Sequence, residues 1–226
     1  NMRAQIRSIG QANRNANDGI SMIQVAEGGM NEVSNILVRM RELSIQGASD
    51  TIGDKERSFI DKEVSALREE VDRIANSTEF NGRKLLDGSS GLVEIQIGAG
   101  NNPFNDRLRY DGTEVTSTLE SLGIGAETVA SKAGAQIALQ RLDDALVKVN
   151  GVRANLGALQ NRLTSVIQNL GVTEENFSEA NSRIRDVDVA SETADLTKNQ
   201  ILTQSGISVL SQANQAPNYA LSLITG

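Results

Sequence analysis

Residues 135–170 read AQIALQRLDDALVKVNGVRANLGALQNRLTSVIQNL, and this stretch decides the fold. Leu142, Val149, Leu156, Leu163 and Leu170 recur every seven residues, with Ala138, Ala145, Val152, Leu159 and Val166 on the companion positions. Such an unbroken a/d seam predicts one long helix. At about 1.5 Å per residue it runs roughly 54 Å, too long to fold back into a small globule. A seam of this length requires helical partners along its side.

The composition agrees. Aromatics are 3% of the 226 residues, Trp is absent and there are two prolines, so Leu, Ile, Val and Ala must form the interior. That mixture suits helix seams better than a thick globular core. The formal net charge is −7 with both signs interspersed, which lacks the basic footprint that neutralises phosphates, so nucleic acid is not an expected partner. No apolar run approaches the roughly 18 residues that cross a bilayer, and no membrane partner is expected. Cysteine and histidine are both absent, which removes thiol nucleophiles, disulfides, the commonest general base and the commonest metal ligand. No cofactor is expected.

Residues 1–47 carry a second seam: Met2, Ile9, Ala16, Ile23, Met30 and Leu37, flanked by Ala12, Gly19, Ala26, Val33 and Met40. Gly19, Gly28 and Gly29 lie inside it. Each costs a helix about 1 kcal/mol, and we read them as points of close approach by a neighbouring element. The cluster Gly47-Ala-Ser-Asp-Thr-Ile-Gly53 predicts a turn, with Asp54 as cap of the next helix. Ile60, Val64, Leu67, Val71 and Ile74 form a third seam, and the short connection before it predicts an antiparallel return.

Asn81-Gly82 is a strong hairpin turn signal. Between about 83 and 126 the period changes to two. Leu92–Ile97 and Arg107–Tyr110 are candidate short strands, bounded by glycines and by Asp111-Gly112. Ser117-Thr-Leu-Glu120 resembles a capping box for a single turn that stops at Gly123, and the rod helix is expected to begin near residue 128. Beyond Leu170 the seam stays in register through Phe177 and Ile184, so Gly171 need not end the helix. From 196 the apolar residues Leu196, Ile201, Leu202, Ile207 and Leu210 spread round several faces, which requires burial on several faces. Pro217 is expected to break this helix, leaving Leu221 and Leu223 as anchors in a terminal extension. The expected fold is mainly α: an elongated antiparallel helical bundle, or coiled-coil rod, with a small β-hairpin region. Its parts are 1–82, 83–127, 128–186 and 187–226.

Catalytic readings fail on these residues. The pairs Glu69-Glu70, Asp143-Asp144 and Glu174-Glu175 sit on solvated helix faces, whereas acid–base pairs need environments that separate their pKa values. Gly98-Ala-Gly100 lacks the third glycine of a dinucleotide loop and is followed by Asn101-Asn-Pro103 instead of a helix. Asn76-Ser-Thr78 and Asn176-Phe-Ser178 match a glycosylation acceptor pattern that recurs by chance. The chain is not expected to be an enzyme.

Arg14-Asn-Ala-Asn-Asp-Gly-Ile-Ser21, Ala26-Glu-Gly28, Asn31-Glu32, Arg39-Met-Arg-Glu-Leu43 and Phe80-Asn-Gly82 resemble the N-terminal region of bacterial flagellin. Leu156-Gly-Ala-Leu-Gln-Asn-Arg-Leu163, Ser182-Arg-Ile-Arg-Asp186, Gln200-Ile-Leu202 and Gln212-Ala-Asn-Gln215 resemble its C-terminal region. The resemblance covers roughly 1–85 and 135–226. It implies a self-assembling filament subunit, homo-oligomeric, made in the cytoplasm and working outside the cell for swimming motility. It further implies that 187–226 is a coiled-coil segment of the filament core, paired in the family with a segment ahead of the rod. The chain opens at what looks like the start of the rod, so that pairing segment is expected to be missing here, together with large outer variable domains.

Two recognition roles follow from the resemblance. Toll-like receptor 5 detects many flagellins through the rod, and the matching positions are Arg39, Leu43 and Glu70. A flagellin export chaperone holds the C-terminal segment, where Leu196, Ile201, Leu202, Ile207, Leu210, Leu221 and Leu223 are the candidate contacts for chaperone or filament core. Two other readings compete. A hook-filament junction protein shares flagellin-like ends and differs in copy number at the filament base. A soluble coiled-coil adaptor would form a discrete one-to-one complex and would not polymerise.

Overall fold

A computed structural model of the chain describes the backbone of residues 2–126, 128–185 and 189–225; side chains are described for these except 185, 189 and 215–225. The elements are α1 (Met2–Ala48), α2 (Asp54–Ser77), β1 (Glu79–Phe80), β2 (Arg83–Lys84), β3 (Leu92–Gln96), β4 (Arg107–Asp111), α3 (Leu119–Leu122), α4 (Lys132–Arg185) and α5 (Val189–Thr225). The fold is mainly α, as the seams require. Two units are distinguished, Asn1–Phe177 and Ser178–Gly226.

In the first unit the seams of α1 and α4 face one another. Ile9, Ala12, Ala16, Gly19, Ile23, Ala26, Met30, Val33, Leu37 and Met40 are buried on α1. Leu142, Val149, Leu156 and Leu163 are buried on α4. Contacts rise along one helix as they fall along the other: Gly10 lies beside Glu174, Gly19 beside Leu163, Gly47 beside Ala135, and Arg41 Nε is 2.6 Å from Asp143 Oδ1. The two helices are therefore antiparallel. On α4 the companion positions Val152, Leu159 and Val166, and Leu170 beyond them, are half-buried.

The return of α2 is antiparallel to α1, with Arg39 Nη2 2.8 Å from Glu63 Oε1 and Thr78 against Gly29. Ile60, Val64, Val71 and Ile74 are its buried seam. Gly53 occupies the cap position in extended backbone without a side-chain bond, and Asp54 is the first helical residue. This corrects the expected cap. The reason lies one turn on: Asp54 Oδ1 accepts from Arg57 Nη1 at 2.9 Å, so its carboxylate turns to the guanidinium and away from the helix amides.

Asn81 (φ 51°) and Gly82 (φ 77°) form the two-residue turn joining β1 to β2. Left-handed backbone at both positions matches the twist of the strands, which is why Asn-Gly suits this site. Strands β3 and β4 pair antiparallel, with Val93 opposite Tyr110 and Ile95 opposite Leu108. Ile95, Leu108 and Tyr110 turn inward. On the outer face Glu94 receives Arg107 at 3.2 Å and Arg109 at 3.0 Å. The single turn α3 is capped by Thr118, whose side chain accepts from Ser121 N, and ends at left-handed Gly123 (φ 76°). The neighbouring Ser117 is buried instead. α4 begins four residues later than expected, because Thr128 and Val129 are first tied to Asp61 Oδ1, each at 2.8 Å.

Of Gly19, Gly28 and Gly29, two are explained inside the chain. A Cβ on Gly19 would come 2.8 Å from Ile95 Cδ1 and one on Gly29 2.7 Å from Leu86 Cδ1, whereas Gly28 faces open space. α4 continues through Gly171. α5 likewise continues through Pro217, contrary to expectation. A proline removes one amide donor and strains a single turn, and the bonds on either side carry the helix past it. The terminal segment is therefore helical, and the side chains of Leu221 and Leu223 lie outside the described residues.

Tyr110 fastens the β region to the segment after β2. Its side chain is fully buried and its hydroxyl donates to Leu85 O at 2.9 Å. Burial, assisted by the charge of Asp111, pushes the phenol up to about 12. An unfolded phenol titrates near 10, so the folded state holds this proton more tightly. Its contribution is complete below about pH 10 and is lost as pH rises through about 12. In a Tyr219→Phe variant, which leaves Tyr110 as the sole tyrosine, the phenolate absorbance is expected to appear near pH 12 together with loss of helicity. A midpoint near 10 in folded protein would contradict this.

Candidate functional site

Two surfaces present candidate functional residues. The first lies on the paired helices α1 and α2. Arg39 is exposed and bridges the helices: Nε and Nη2 donate to Glu63 Oε1 at 3.1 and 2.8 Å, and Nη1 donates to Glu42 Oε2 at 3.2 Å. These hydrogen bonds, that to Glu63 foremost, raise the guanidinium above its usual value. Glu70 receives two bonds from Arg73, at 2.7 and 2.6 Å, which hold its carboxyl below the usual range. Phe59, Glu63 and Glu70 are spaced by four and seven residues and so share one face of α2. Arg39 meets that face at Glu63, about 10 Å along the helix from Glu70 at 1.5 Å per residue.

Leu43 is placed differently from expectation. It is 3% exposed and belongs to the core cluster with Met40 and Ile60. A leucine there is held by its own helices and does not offer a side chain to an outside pocket. The surface instead carries Phe59, 57% exposed, with Lys62 Nζ 5.9 Å from its ring centroid. Phe59 stands next to the seam residue Ile60 in sequence and therefore off the seam, a signal that could have marked it as an outward-facing aromatic.

The second surface is α5. Every described side chain from Ala190 to Asn214 is exposed. Leu196, Ile201, Leu202, Ile207 and Leu210 each expose 57 to 63% of their area. They lie on several faces of the helix, and each of those faces is exposed. Among the described residues no helix is long and apolar enough to cross a membrane. Nor is any group of three or more His, Cys, Asp or Glu among them placed to hold a metal ion.

Comparison with known proteins bears on both surfaces. Residues 1–91 match the bacterial flagellin N-terminal helical region and residues 139–224 its C-terminal helical region. A flagellin of Halalkalibacterium halodurans is 42% identical over 223 residues, covering 99% of this chain and 81% of its own. The flagellar filament 30.7 kDa core protein of Treponema maltophilum is 43% identical, covering 99% and 82%. Among solved structures, the crystal structure of Bacillus cereus flagellin superimposes with a TM-score of 0.62 at 30% identity, over 70% of this chain and 88% of that one. These relatives are structural proteins, and the two matched regions hold the α1–α2 surface and the α5 surface respectively. With both regions matched in order and relatives above 40% identity across nearly its whole length, the chain belongs to the bacterial flagellin family.

Proposed function

We propose that the chain is a structural subunit of the bacterial flagellar filament, polymerising through its rod helices and through the segment 187–226, and serving swimming motility outside the cell after export from the cytoplasm. The observation that carries this reading is α5: a long helix with large apolar side chains exposed from Leu196 to Leu210. Such a surface is costly to leave in water, at about 25 cal/mol per Å², and a helical partner in a polymer covers it. One of the named relatives is a flagellar filament core protein. Assembly of the purified chain is to be followed by light scattering and electron microscopy, seeded with filament fragments. Leu202→Asp with Leu210→Asp is expected to abolish incorporation while leaving the Asn1–Phe177 unit folded. Normal incorporation of that variant would sink the core role of α5.

Before export the same apolar residues, Leu196 to Leu210 with Leu221 and Leu223, suit an export chaperone that takes a helix into an apolar groove and covers several of its faces. On the other surface we assign Arg39 and Glu70 to Toll-like receptor 5 recognition. Both are exposed, and an arginine offers the forked donor geometry that suits an interface anchor. Leu43 enters this proposal as a buried support of the α1–α2 pair. Arg39→Ala is expected to weaken receptor binding on the order of thirtyfold if it is a central anchor, with helicity unchanged; Glu70→Ala is expected to weaken it less. Unchanged binding in both variants would remove the assignment.

A further inference from the structure

Phe104 is 86% exposed, more than any other large apolar side chain among the described residues. It does not stand on a loose loop. Asn102 N donates to Asp106 Oδ2, Phe104 N to Asn102 Oδ1 and Asp106 N to Asn102 O, each at 2.9 Å. Gln96 Nε2 draws in the other arm, donating to Gly98 O at 2.9 Å and Gly100 O at 2.8 Å. The Asp106 carboxylate fills the space where side chains at Gly98 and Gly100 would stand, so both glycines are required by this packing. The loop is thus fixed in advance with an aromatic ring at its tip. Fixing a contact group before binding lowers the entropic cost of the contact, and a ring so presented is what an interface anchor needs.

A matching recess exists on the same chain. Between β4 and α4 lies a cavity of about 300 Å³ lined by Val115, Val152, Leu156 and Leu159, with Arg109 and Arg162 at its edge. The aliphatic side chains offer an apolar seat, and guanidinium groups favour the face of an aromatic ring. Asp111 and Glu114 also line it, and Arg109 pairs with Glu94 at 3.0 Å; the recess at Met22 and Ile95 is lined by Asp18 and that same Glu94. The guanidinium of Arg162 gives the first recess a cation for a ring face.

Knob and recess occupy different places. The loop around Asp106 adjoins α4 near Asn169, while the recess centres near Leu156 and Leu159, on the order of 15–20 Å away at 1.5 Å per residue. A contact that joins two different patches of identical chains is heterologous and propagates into a filament when it does not close a ring. We propose that Phe104 of one copy seats in the Val152–Leu156–Leu159 recess of a second copy, as a lateral knob-and-socket contact. The proposal rests on the filament reading and adds a defined pair of surfaces to it.

The chain has no cysteine, so paired substitutions report without background. Phe104→Cys and Ala158→Cys chains are mixed, assembled under the seeded conditions above and treated with a short bis-maleimide; Phe104→Cys mixed with Val172→Cys serves as control. Crosslinked dimers are expected for the first pair only, and only in polymer. Independently, Phe104→Ala is expected to raise the critical concentration for assembly roughly tenfold with the monomer's circular dichroism unchanged, and Phe104→Tyr to restore most of it. If the unmodified chain assembles yet the 104–158 crosslink is absent, or Phe104→Ala assembles at the same concentration, the contact is refuted while the filament reading stands. If the unmodified chain is not incorporated at all, the filament reading fails and takes the contact with it.

Discussion

Replacing Arg57 with alanine is expected to lower the stability of the Asn1–Phe177 unit by about 3 kcal/mol, read as a shift in the urea midpoint at unchanged slope. The side chain is 8% exposed and lies under the corner where α1 turns into α2. Nε donates to Gly47 O at 2.9 Å, Nη2 to Ser49 O at 2.8 Å and Nη1 to Asp54 Oδ1 at 2.9 Å. The first two acceptors are backbone carbonyls at the end of α1 and in the turn, which the helix itself cannot satisfy. Alanine leaves them without this donor and removes the packed stem as well. Arg57→Lys is expected to fall between, because an ammonium lacks the planar fork that reaches three acceptors at once. Asp54→Ala should have little effect, since the Asp54 side chain is 94% exposed. Equal losses in Arg57→Ala and Asp54→Ala would show that the ion pair, and not the carbonyl clamp, holds the corner.

The second large effect is expected from Leu163→Ala, at about 3 kcal/mol within the range for fully buried leucines. Leu163 is fully buried and faces Gly19 on α1, where a Cβ would lie 3.3 Å from its Cδ1 and 2.8 Å from Ile95 Cδ1. Three elements, α1, β3 and α4, meet at this point, so the cavity cannot be closed by moving one of them. Gly19→Ala gains helix propensity of about 1 kcal/mol but crowds both neighbours. In the Leu163→Ala background the contact at 3.3 Å is gone and the vacated space lets the Ile95 tip shift, so Gly19→Ala should cost less than in the parent chain. A double-mutant cycle measures this coupling, and strict additivity would mean that the two sites do not touch.

The long helices were legible because a heptad repeats its signal many times. Of the eleven seam positions on α1, ten are buried and Met2, at the start of the helix, is half-buried. The hairpin turn at Asn81-Gly82 and the alternation in Leu92–Ile97 were legible for a local reason: each needs a backbone conformation or a face that few residues supply. The candidate surfaces were only partly legible. The exposed apolar run on α5 follows from residues apolar on several faces, and the structure leaves those faces uncovered. Leu43 enters through the resemblance alone: three residues from the seam position Met40, a leucine fits an outer contact or an inner one equally well by pattern, and only the packing shows it buried.

What the sequence determined by itself was the set of elements and the family: periodicity, turn chemistry and ordered motifs are properties of neighbours along the chain. Only the tertiary structure decided which long-range neighbours meet. It placed Arg57 under the carbonyls of Gly47 and Ser49, Glu63 against Arg39, and Leu163 and Ile95 over Gly19, and it left Gly28 and Phe104 facing outward. The physical reason is that a seam specifies a face and a spacing, whereas the identity of the atoms across it depends on the axial offset between helices. That offset is set jointly by the corner at residues 47–57, the β region and the packing of both seams.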